Sequence, residues 1–534
     1  MWFNSRRSPV YGTRGAVASS QPLASEAGMR ILQKGGNAAD AAVAVAAAIG
    51  VTEPCSTGMG GDCFALYYDS RKGKVLGLNG SGRAPGKLTS KLLRDEGLTK
   101  MPTNGVHTVT VPGAVAGWVD TMEAFGTMTV AEVLAPAIEL AEGGFPVSPL
   151  TARAWASGVP LLKFGPYGDE LLIRGRAPGA GELMKNPTLG RSLREVAEHG
   201  KAGFYEGRIA ESIVELLQLK GGTMTLDDLK RHGSTFDEPI TVNYRGLDIW
   251  EIPPNGQGIT ALIALNIIEG FNLHKVPYDS SQRLHLLIEA MRTAFADTRW
   301  YVADPTKTDV PVKELISKDY AATRRENINP SMATLDRVHG SPVAGSDTVY
   351  FCTADRWGNA CSFINSNYSG FGTGLVPKGC GFTLQNRGAG FTLEKGHPNV
   401  LAPGKRPYHT IIPGMLTRNG ELLGPFGVMG GFMQPQGHVQ VVTNMVDYGM
   451  GPQDALDAPR FCIQDGTSGG KVSLEEGISV ETMASLARMG HEVVPVAGYH
   501  RGAFGKGQII LRDQKTGVLT AGSDPRGDGQ ALGW

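Results

Sequence analysis

The chain has 534 residues, of which 41% are hydrophobic and 19% are charged, so it has ample material for a large buried core. Its 51 basic side chains balance 51 acidic ones, which excludes a global field that would recruit nucleic acid or an anionic membrane. We therefore expect a small-molecule substrate, with no nucleic-acid partner and no membrane partner.

The N-terminal segment and the cysteines indicate the compartment. Residues 1–9 contain no apolar run of the length of a signal peptide, and the alanine-rich stretch 41–51 is too short to span a bilayer. The sequence thus predicts an intracellular, cytoplasmic protein. The six cysteines form no CxxC pair and show no metal-ligand spacing, which is typical of ordinary buried thiols, so no metal site is predicted.

The first two thirds of the chain predict helices around a hairpin. Residues 23–51 show a helical pattern broken at Gly35-Gly36, and residues 63–68 and 74–78 form two strands joined by a turn. Four further stretches predict a helix-rich layer: 131–142, 193–198, 208–219 and 281–300. Residues 305–346 are the least patterned region and suit a flexible approach to Thr348.

A second hairpin begins just after Asp347-Thr348. Residues 349–354 and 360–365 predict strands around a turn at 357–359, and helices return at 438–448 and 479–489. The absence of regular βαβ alternation favours an α/β layered fold of two packed antiparallel sheets covered by helices. Such a hairpin would hold Thr348 at a sheet edge, both rigid and accessible.

Thr348 is the residue that carries the chemistry. If the peptide bond before it breaks, its new α-amino group, with a pKa near ~8, can take the proton of its own hydroxyl. Nucleophile and base then reside on one residue. The ordinary alternative is a threonine that only fills a strand position.

Further motifs along the chain resemble those of a known family. In order they are Gly35-Gly36-Asn37-Ala38-Ala39-Asp40-Ala41, Thr57-Gly58-Met59-Gly60-Gly61-Asp62, Val111-Pro112-Gly113, Pro253-Pro254-Asn255-Gly256, Asp355-Arg356-Trp357-Gly358-Asn359, Phe371-Gly372-Thr373-Gly374, Lys405-Arg406-Pro407, Gly430-Gly431 and Ala458-Pro459-Arg460-Phe461. From about Gly15 to the C-terminus the chain resembles the γ-glutamyltransferase family of self-cleaving N-terminal-nucleophile hydrolases.

This resemblance implies the architecture and the processing of the chain. It implies a four-layer αββα sandwich, cleavage between Asp347 and Thr348, and two fragments, 1–347 and 348–534, that remain together as a heterodimer in one interwoven fold. It requires no cofactor. Whether processed heterodimers pair further is left open.

The resemblance also implies roles for individual residues. Gly430 and Gly431 would offer backbone N–H groups to the oxyanion, and Ser366 would support the nucleophile. Tyr368 stands where the family has an asparagine that contacts the substrate, with Asn365 and Asn367 close enough in sequence to substitute. The flanks of the glycine pair, Met429 and Phe432 among them, differ from the family pattern and imply a different pocket.

Several departures point to a changed substrate. The carboxylate-binding arginine of the family corresponds to Ser81, with Arg83 two positions later, and no carboxylate stands near residues 389–390 to grip an α-amino group. Arg387 and His409 lie where the family recognises its amino-acid substrate, and such a pair could bind a carboxylate that lacks an adjacent ammonium. The predicted substrate-binding residues are Arg83, Arg387, His409, Thr410, Asn365 and Tyr368. A surface arginine and a structural histidine are the ordinary alternatives.

Three functions are consistent with these patterns. The leading hypothesis is an autoprocessing threonine amidohydrolase that hydrolyses or transfers a γ-glutamyl or similar acyl group from small amides such as glutathione. An oxamate-type amidohydrolase acting on a small dicarboxylate monoamide is the alternative enzyme. An unprocessed, non-catalytic binding scaffold is the alternative of another class. The short segment 391–407 predicts an open cleft that admits water, which favours hydrolysis.

Overall fold

The computed structural model describes residues 7–334 and 347–534, with Asp347 described by its backbone alone. The strands in this part of the chain are β1 (Val10–Gly12), β2 (Gly15–Ser19), β3 (Asp62–Asp69), β4 (Lys74–Gly80), β5 (Phe145–Pro146), β6 (Leu183–Met184), β7 (Ile240–Tyr244), β8 (Leu247–Glu251), β9 (Asp347–Asp355), β10 (Ala360–Tyr368), β11 (Gly414–Arg418), β12 (Glu421–Met429), β13 (Phe461–Ile463), β14 (Val472–Glu475), β15 (Val493–Val496), β16 (Lys506–Arg512), β17 (Leu519–Ser523) and β18 (Gln530–Gly533).

The helices of the same residues are α1 (Pro22–Gln33), α2 (Ala38–Thr52), α3 (Ser90–Asp95), α4 (Ala114–Phe125), α5 (Val130–Gly143), α6 (Pro149–Phe164), α7 (Pro187–His199), α8 (Ala202–Tyr205), α9 (Gly207–Leu219), α10 (Leu226–Lys230), α11 (Gly258–Glu269), α12 (Ser281–Tyr301), α13 (Val312–Leu315), α14 (Lys318–Glu326), α15 (Met433–Tyr448), α16 (Pro452–Asp457) and α17 (Val480–Arg488). The two predicted hairpins are β3–β4 and β9–β10, and both are antiparallel as expected.

Two large sheets form the centre of the molecule. One has six strands in the order β18-β2-β9-β10-β3-β4, and the other has seven in the order β1-β17-β16-β12-β11-β8-β7. Every pairing within these two sheets is antiparallel. Both sheets combine strands from before and after Thr348, so neither half of the chain builds a sheet alone.

Successive side chains of β9 point alternately into two different hydrophobic cores. Val349 and Phe351 pack into the core beneath the helices, whereas Tyr350 and Cys352 pack into the core between the sheets. At Gly427 of the facing sheet a Cβ would lie 2.5 Å from the ring of Tyr350, so glycine makes room for the ring. The space between the sheets is therefore closely packed around β9.

Helices cover both outer faces. α1, α2, α4, α5, α7 and α9 share a core with the six-stranded sheet, and α11, α12 and α15 share another with the seven-stranded sheet. The alanines of α2 are fully buried, and a capping box between Asn37 and Asp40 fixes the start of this helix. The predicted four-layer αββα sandwich is confirmed.

Two details differ from the sequence-based expectation. β9 is an inner strand with β2 on one side and β10 on the other, but its ladder with β2 covers only Cys352 to Asp355, so Thr348 lies at the end of the strand beyond the reach of β2. The hairpin pattern could not show that a distant segment, β2, pairs with the other end of β9. Within 305–334 the chain also forms α13 and α14, which the proline-rich pattern concealed; residues 335–346 of the predicted flexible approach lie outside the described residues.

Two further predictions concern membrane spans and thiols. Among the helices of residues 7–334 and 347–534, none combines the length and the apolar composition that a membrane span requires. All six cysteines are free thiols, five of them buried and Cys462 partly exposed.

Candidate active site

Thr348 and Ser366 lie side by side at the ends of two paired strands. Their hydroxyl oxygens are 3.0 Å apart, and both side chains are fully buried. Strand alternation places them, together with Asp62 of β3, on the face that looks toward the other sheet. The main-chain N–H of Tyr368 donates to the Ser366 oxygen at 2.9 Å, which holds that hydroxyl in place. In the continuous chain the Thr348 hydroxyl is thus enclosed, and the open cleft of the active enzyme stays a prediction.

Asp62 is a buried carboxylate whose oxygens are already engaged. It accepts hydrogen bonds from Nε of Arg387 at 3.3 Å, Nε2 of His409 at 3.1 Å and the N–H of Gly82 at 3.1 Å. Burial alone would raise its pKa, but the hydrogen bond from His409 and the charge of Arg387 outweigh it, so the pKa of Asp62 lies below its usual value. This carboxylate is a partner of the site's donors and is not free to bind an ammonium.

Arg387 is the fixed cation of the site. Its Nη1 donates to the hydroxyl of Thr410 at 2.7 Å, and its guanidinium carbon lies 4.4 Å from the ring centre of Tyr368. Its Nη2 is buried and has no hydrogen-bond acceptor among the described residues. Burial lowers the pKa of this guanidinium and the Asp62 carboxylate opposes that effect. One guanidinium nitrogen therefore remains to be satisfied by a ligand.

His409 is a neutral hydrogen-bonding group and not a second cation. Burial, followed by the charge of Arg387, lowers its pKa to about 3 against the opposing effect of Asp62. The N–H of Ile411 points at its Nδ1 at 3.4 Å, which leaves the proton on Nε2, facing Asp62. The predicted cationic or switchable pair is thus one cation and one neutral donor at neutral pH.

The Gly430-Gly431 turn follows β12 and precedes α15. Both glycines have positive φ, +128° and +59°, which only glycine adopts at little cost. Among the residues that the structure describes, neither N–H group has a hydrogen-bond acceptor. Two unsatisfied backbone donors in adjacent residues can bind an oxyanion.

Gln257 ties this turn to the substrate-side residues, a role that sequence reasoning missed. Its Nε2 donates to the carbonyl of Gly431 at 2.8 Å and to the carbonyl of Thr410 at 2.6 Å, and its Oε1 accepts from Tyr408 at 3.0 Å. The sequence contained a signal for this role, because Gln257 directly follows the Pro253–Gly256 motif.

A second arginine stands beside the site and was also missed. The guanidinium carbon of Arg299 lies 4.1 Å from the ring centre of Phe432 and 5.7 Å from that of Tyr408. Its charge also opposes the rise in the pKa of Tyr368 that burial causes, so it lies near that phenol as well. Arg299 belongs to α12, far from every motif in sequence, and no local pattern marks it.

The structure brings together four of the six predicted substrate-binding residues, namely Arg387, His409, Thr410 and Tyr368. Asn365 instead faces the helical layer, where it donates to Thr57 at 2.6 Å and accepts from Trp118 at 3.0 Å. Arg83 lines a separate cavity of about 350 Å³ with Arg231 and His232. No group of three or more potential metal ligands occurs in residues 7–334 and 347–534.

Comparison with known proteins adds the family context of this geometry. A model of the gamma-glutamyltranspeptidase family matches residues 24–534. A glutathione hydrolase-like proenzyme of Bacillus subtilis is 39% identical over 98% of this chain and 99% of its own length. An oxamate amidohydrolase proenzyme of Klebsiella pneumoniae is 33% identical over 98% of this chain and 99% of its own length. The crystal structure of a cephalosporin acylase from Bacillus halodurans is 46% identical and superimposes with a TM-score of 0.93 over 100% of this chain and 98% of that one.

Proposed function

Because the chain belongs to the gamma-glutamyltranspeptidase family of N-terminal-nucleophile hydrolases, we propose that it is a self-activating amidohydrolase whose nucleophile is Thr348. The observation that carries the proposal is the 3.0 Å contact between the hydroxyls of Thr348 and Ser366 at the start of a central strand. In the first step the Thr348 oxygen attacks the carbonyl of Asp347. The C–N bond between Asp347 and Thr348 then breaks, which frees the α-amino group of Thr348 and leaves an ester. Water hydrolyses this ester and releases the Asp347 carboxylate and the Thr348 hydroxyl.

The fragments that result, 1–347 and 348–534, would stay together without further contacts. β9 of the second fragment lies between β2 of the first fragment and β10 of the second, and β10 in turn pairs with β3 of the first. Separation would break ladders in the middle of both sheets. The processed enzyme is therefore a heterodimer of its own two parts.

Each catalytic step then has a group to perform it. The α-amino group of Thr348 takes the hydroxyl proton as the oxygen attacks an amide carbon, and the N–H groups of Gly430 and Gly431 stabilise the oxyanion. The α-amino group returns the proton to the leaving nitrogen and the amine departs. Water, deprotonated by the same group, cleaves the acyl ester, which releases the acid and restores the hydroxyl.

We further propose that the acyl group carries a carboxylate and no ammonium. Support comes from the buried Nη2 of Arg387, which lacks an acceptor among the described residues, and from Asp62, whose oxygens are already engaged by Arg387, His409 and Gly82. An acyl carboxylate would complete the coordination of the guanidinium, whereas an α-ammonium would meet a cation and no free acid. This favours an oxamate-type or glutaryl-type substrate over a γ-glutamyl one.

A pair of substrates that differ by one group tests this proposal. We expect glutaryl 4-nitroanilide to be hydrolysed with a kcat/KM at least about tenfold above that of γ-L-glutamyl 4-nitroanilide, since a buried uncompensated charge costs several kcal/mol. A clear preference for the γ-glutamyl compound would overturn the specificity and leave the mechanism intact. A chain that stays uncut and hydrolyses neither compound would favour the unprocessed binding scaffold.

A further inference from the structure

A second cavity opens directly beside the Gly430-Gly431 turn. It has a volume of about 560 Å³, and Met429 and Gly430 form part of its wall. The remaining wall comes mainly from α6, from residues 498–502 and from the start of β16. Gly430 thus has one side in this cavity, whereas Gln257 ties the carbonyl of the adjacent Gly431 to the carbonyl of Thr410.

The charge of this cavity has one sign. Its wall includes Arg153, Arg501, Lys506 and Arg526, and none of the residues that line it is an aspartate or a glutamate. Buried carboxylates lie behind the wall: Glu475 binds Arg501 and Arg526, Asp524 binds Arg526, and Glu53 lies 3.6 Å from Lys506. Arg460 shares Asp524. Every charged side chain that lines the cavity is therefore a cation.

Arg153 and Tyr499 form its outer edge. The guanidinium carbon of Arg153 lies 4.5 Å from the ring centre of Tyr499, whose side chain is 70% exposed. Arg153 has no ion-pair partner among the described residues, unlike the other cations of the wall. A cation held over an exposed ring offers both a charge and a flat apolar surface to a ligand.

We propose that this cavity binds the leaving group of the substrate and selects amines that carry a carboxylate next to an aromatic or other flat apolar group. The proposal rests on the proposed function for the position of the scissile bond. The carboxylate pairs with Arg153, and the flat group lies against Tyr499. The acyl side and the leaving-group side would then each recognise an anion, so a preferred substrate has a carboxylate on both sides of the amide.

The test measures binding of the released amine and is independent of turnover. We compare 5-amino-2-nitrobenzoate, which has a carboxylate, with 4-nitroaniline, which has none, by calorimetric titration of the purified wild-type protein. The variant is Arg153→Gln. The matched control is Arg356→Gln, because Arg356 is also an exposed arginine stacked on an aromatic ring, that of Trp357 at 4.5 Å, but lies in the β9–β10 turn outside this cavity.

We expect the wild type to bind the carboxylated amine more tightly than the neutral one, and Arg153→Gln to reduce that preference about twofold to fivefold, the range of an exposed ion pair. Arg356→Gln should retain the wild-type preference. Equal binding of the two amines by all three proteins would overturn the proposal, whether or not the enzyme cleaves amides. If the wild type shows the preference and Arg153→Gln reduces it, but the enzyme hydrolyses no amide, the proposed function is overturned and the cavity remains an aromatic-acid site.

In processed enzyme the same selectivity should appear in kinetics. The ratio of kcat/KM for glutaryl 3-carboxy-4-nitroanilide over glutaryl 4-nitroanilide should fall about twofold to fivefold in Arg153→Gln and stay at the wild-type value in Arg356→Gln. A ratio unchanged in Arg153→Gln would contradict the assignment.

Discussion

The side-chain amide of Gln257 lies 2.8 Å from the carbonyl oxygen of Gly431. It thereby joins the Gly430-Gly431 turn to the segment that carries His409 and Thr410. The Gly431 carbonyl also accepts the N–H of Gln434 at 3.2 Å, so this carbonyl is fixed from two directions. Catalysis by preorganised dipoles depends on such fixation, because donors that must reorient during the reaction lose most of their effect.

Replacement of Gln257 by methionine should therefore reduce turnover more than substrate binding. We expect kcat of Gln257→Met to fall about tenfold or more, since loss of one oriented oxyanion donor costs about 10²-fold or more and the turn is loosened rather than removed. The control is Gln440→Met, which also removes a buried amide bonded to two carbonyls, those of Gln436 and Phe461. Equal losses of kcat in both variants would mean that Gln257 acts only through stability.

Ser366 should matter for both cleavage and turnover. In Ser366→Ala the Thr348 hydroxyl loses its 3.0 Å partner, and we expect self-cleavage to slow about fivefold to a hundredfold, as for a lost buried hydrogen bond. Ser362→Ala is the matched control, because Ser362 lies on the same face of β10 and bonds Tyr350 at 2.8 Å. The rate is followed by gel electrophoresis of freshly folded precursor. Processing of Ser366→Ala at the control's rate would contradict the assignment.

Gly430 should tolerate no side chain. Its φ of +128° strains any other residue, and a Cβ would lie 3.2 Å from the Cα of Gly505, so Gly430→Ala should displace the turn. We expect kcat to fall about a hundredfold. Gly449→Ala, at the end of α15 with φ +64° and no neighbour within 4 Å, should lose about 1 kcal/mol of stability and keep its kcat. Unchanged kcat in Gly430→Ala would remove this turn from the mechanism.

His409 makes a prediction about stability and pH. Its pKa of about 3 in the folded state lies below the ordinary value of 6.5, so as the pH falls below 6.5 the unfolded state binds a proton that the folded state does not. Stability therefore falls from pH 6.5 downward, by about 1.4 kcal/mol per pH unit for this one group. His409→Gln, which can still donate to Asp62, should show a shallower loss of unfolding free energy between about pH 6 and pH 4. Parallel curves for the two proteins would show that His409 ionises in the folded state.

Sequence analysis succeeded where the pattern is local or the motif is complete. The β9–β10 hairpin, the α1–α2 pair broken at Gly35-Gly36 and the layer order all agree with alternation, helical periodicity and the resemblance. The inner position of β9 was not predicted, because its partner β2 is more than three hundred residues away in sequence.

The alternation of side chains along a strand could have corrected the prediction that Asn365 binds the substrate. Asn365 lies an odd number of residues from Ser366, so in a strand its side chain must point to the opposite face, toward the helices. Other features were beyond any local pattern. Arg299 reaches Phe432 from the end of a long helix, and Arg83 lines a separate cavity. Such placements depend on tertiary packing, which one sequence does not state.

The most direct test of the account is the N-terminus of the second fragment. Intact mass and N-terminal sequencing of freshly purified wild type, Thr348→Ser and Thr348→Ala should give fragments 1–347 and 348–534 in wild type, the same fragments formed more slowly in Thr348→Ser, and one uncut chain in Thr348→Ala. An uncut wild-type chain, or cleavage that persists in Thr348→Ala, would contradict the assignment of Thr348 as the nucleophile that activates this enzyme.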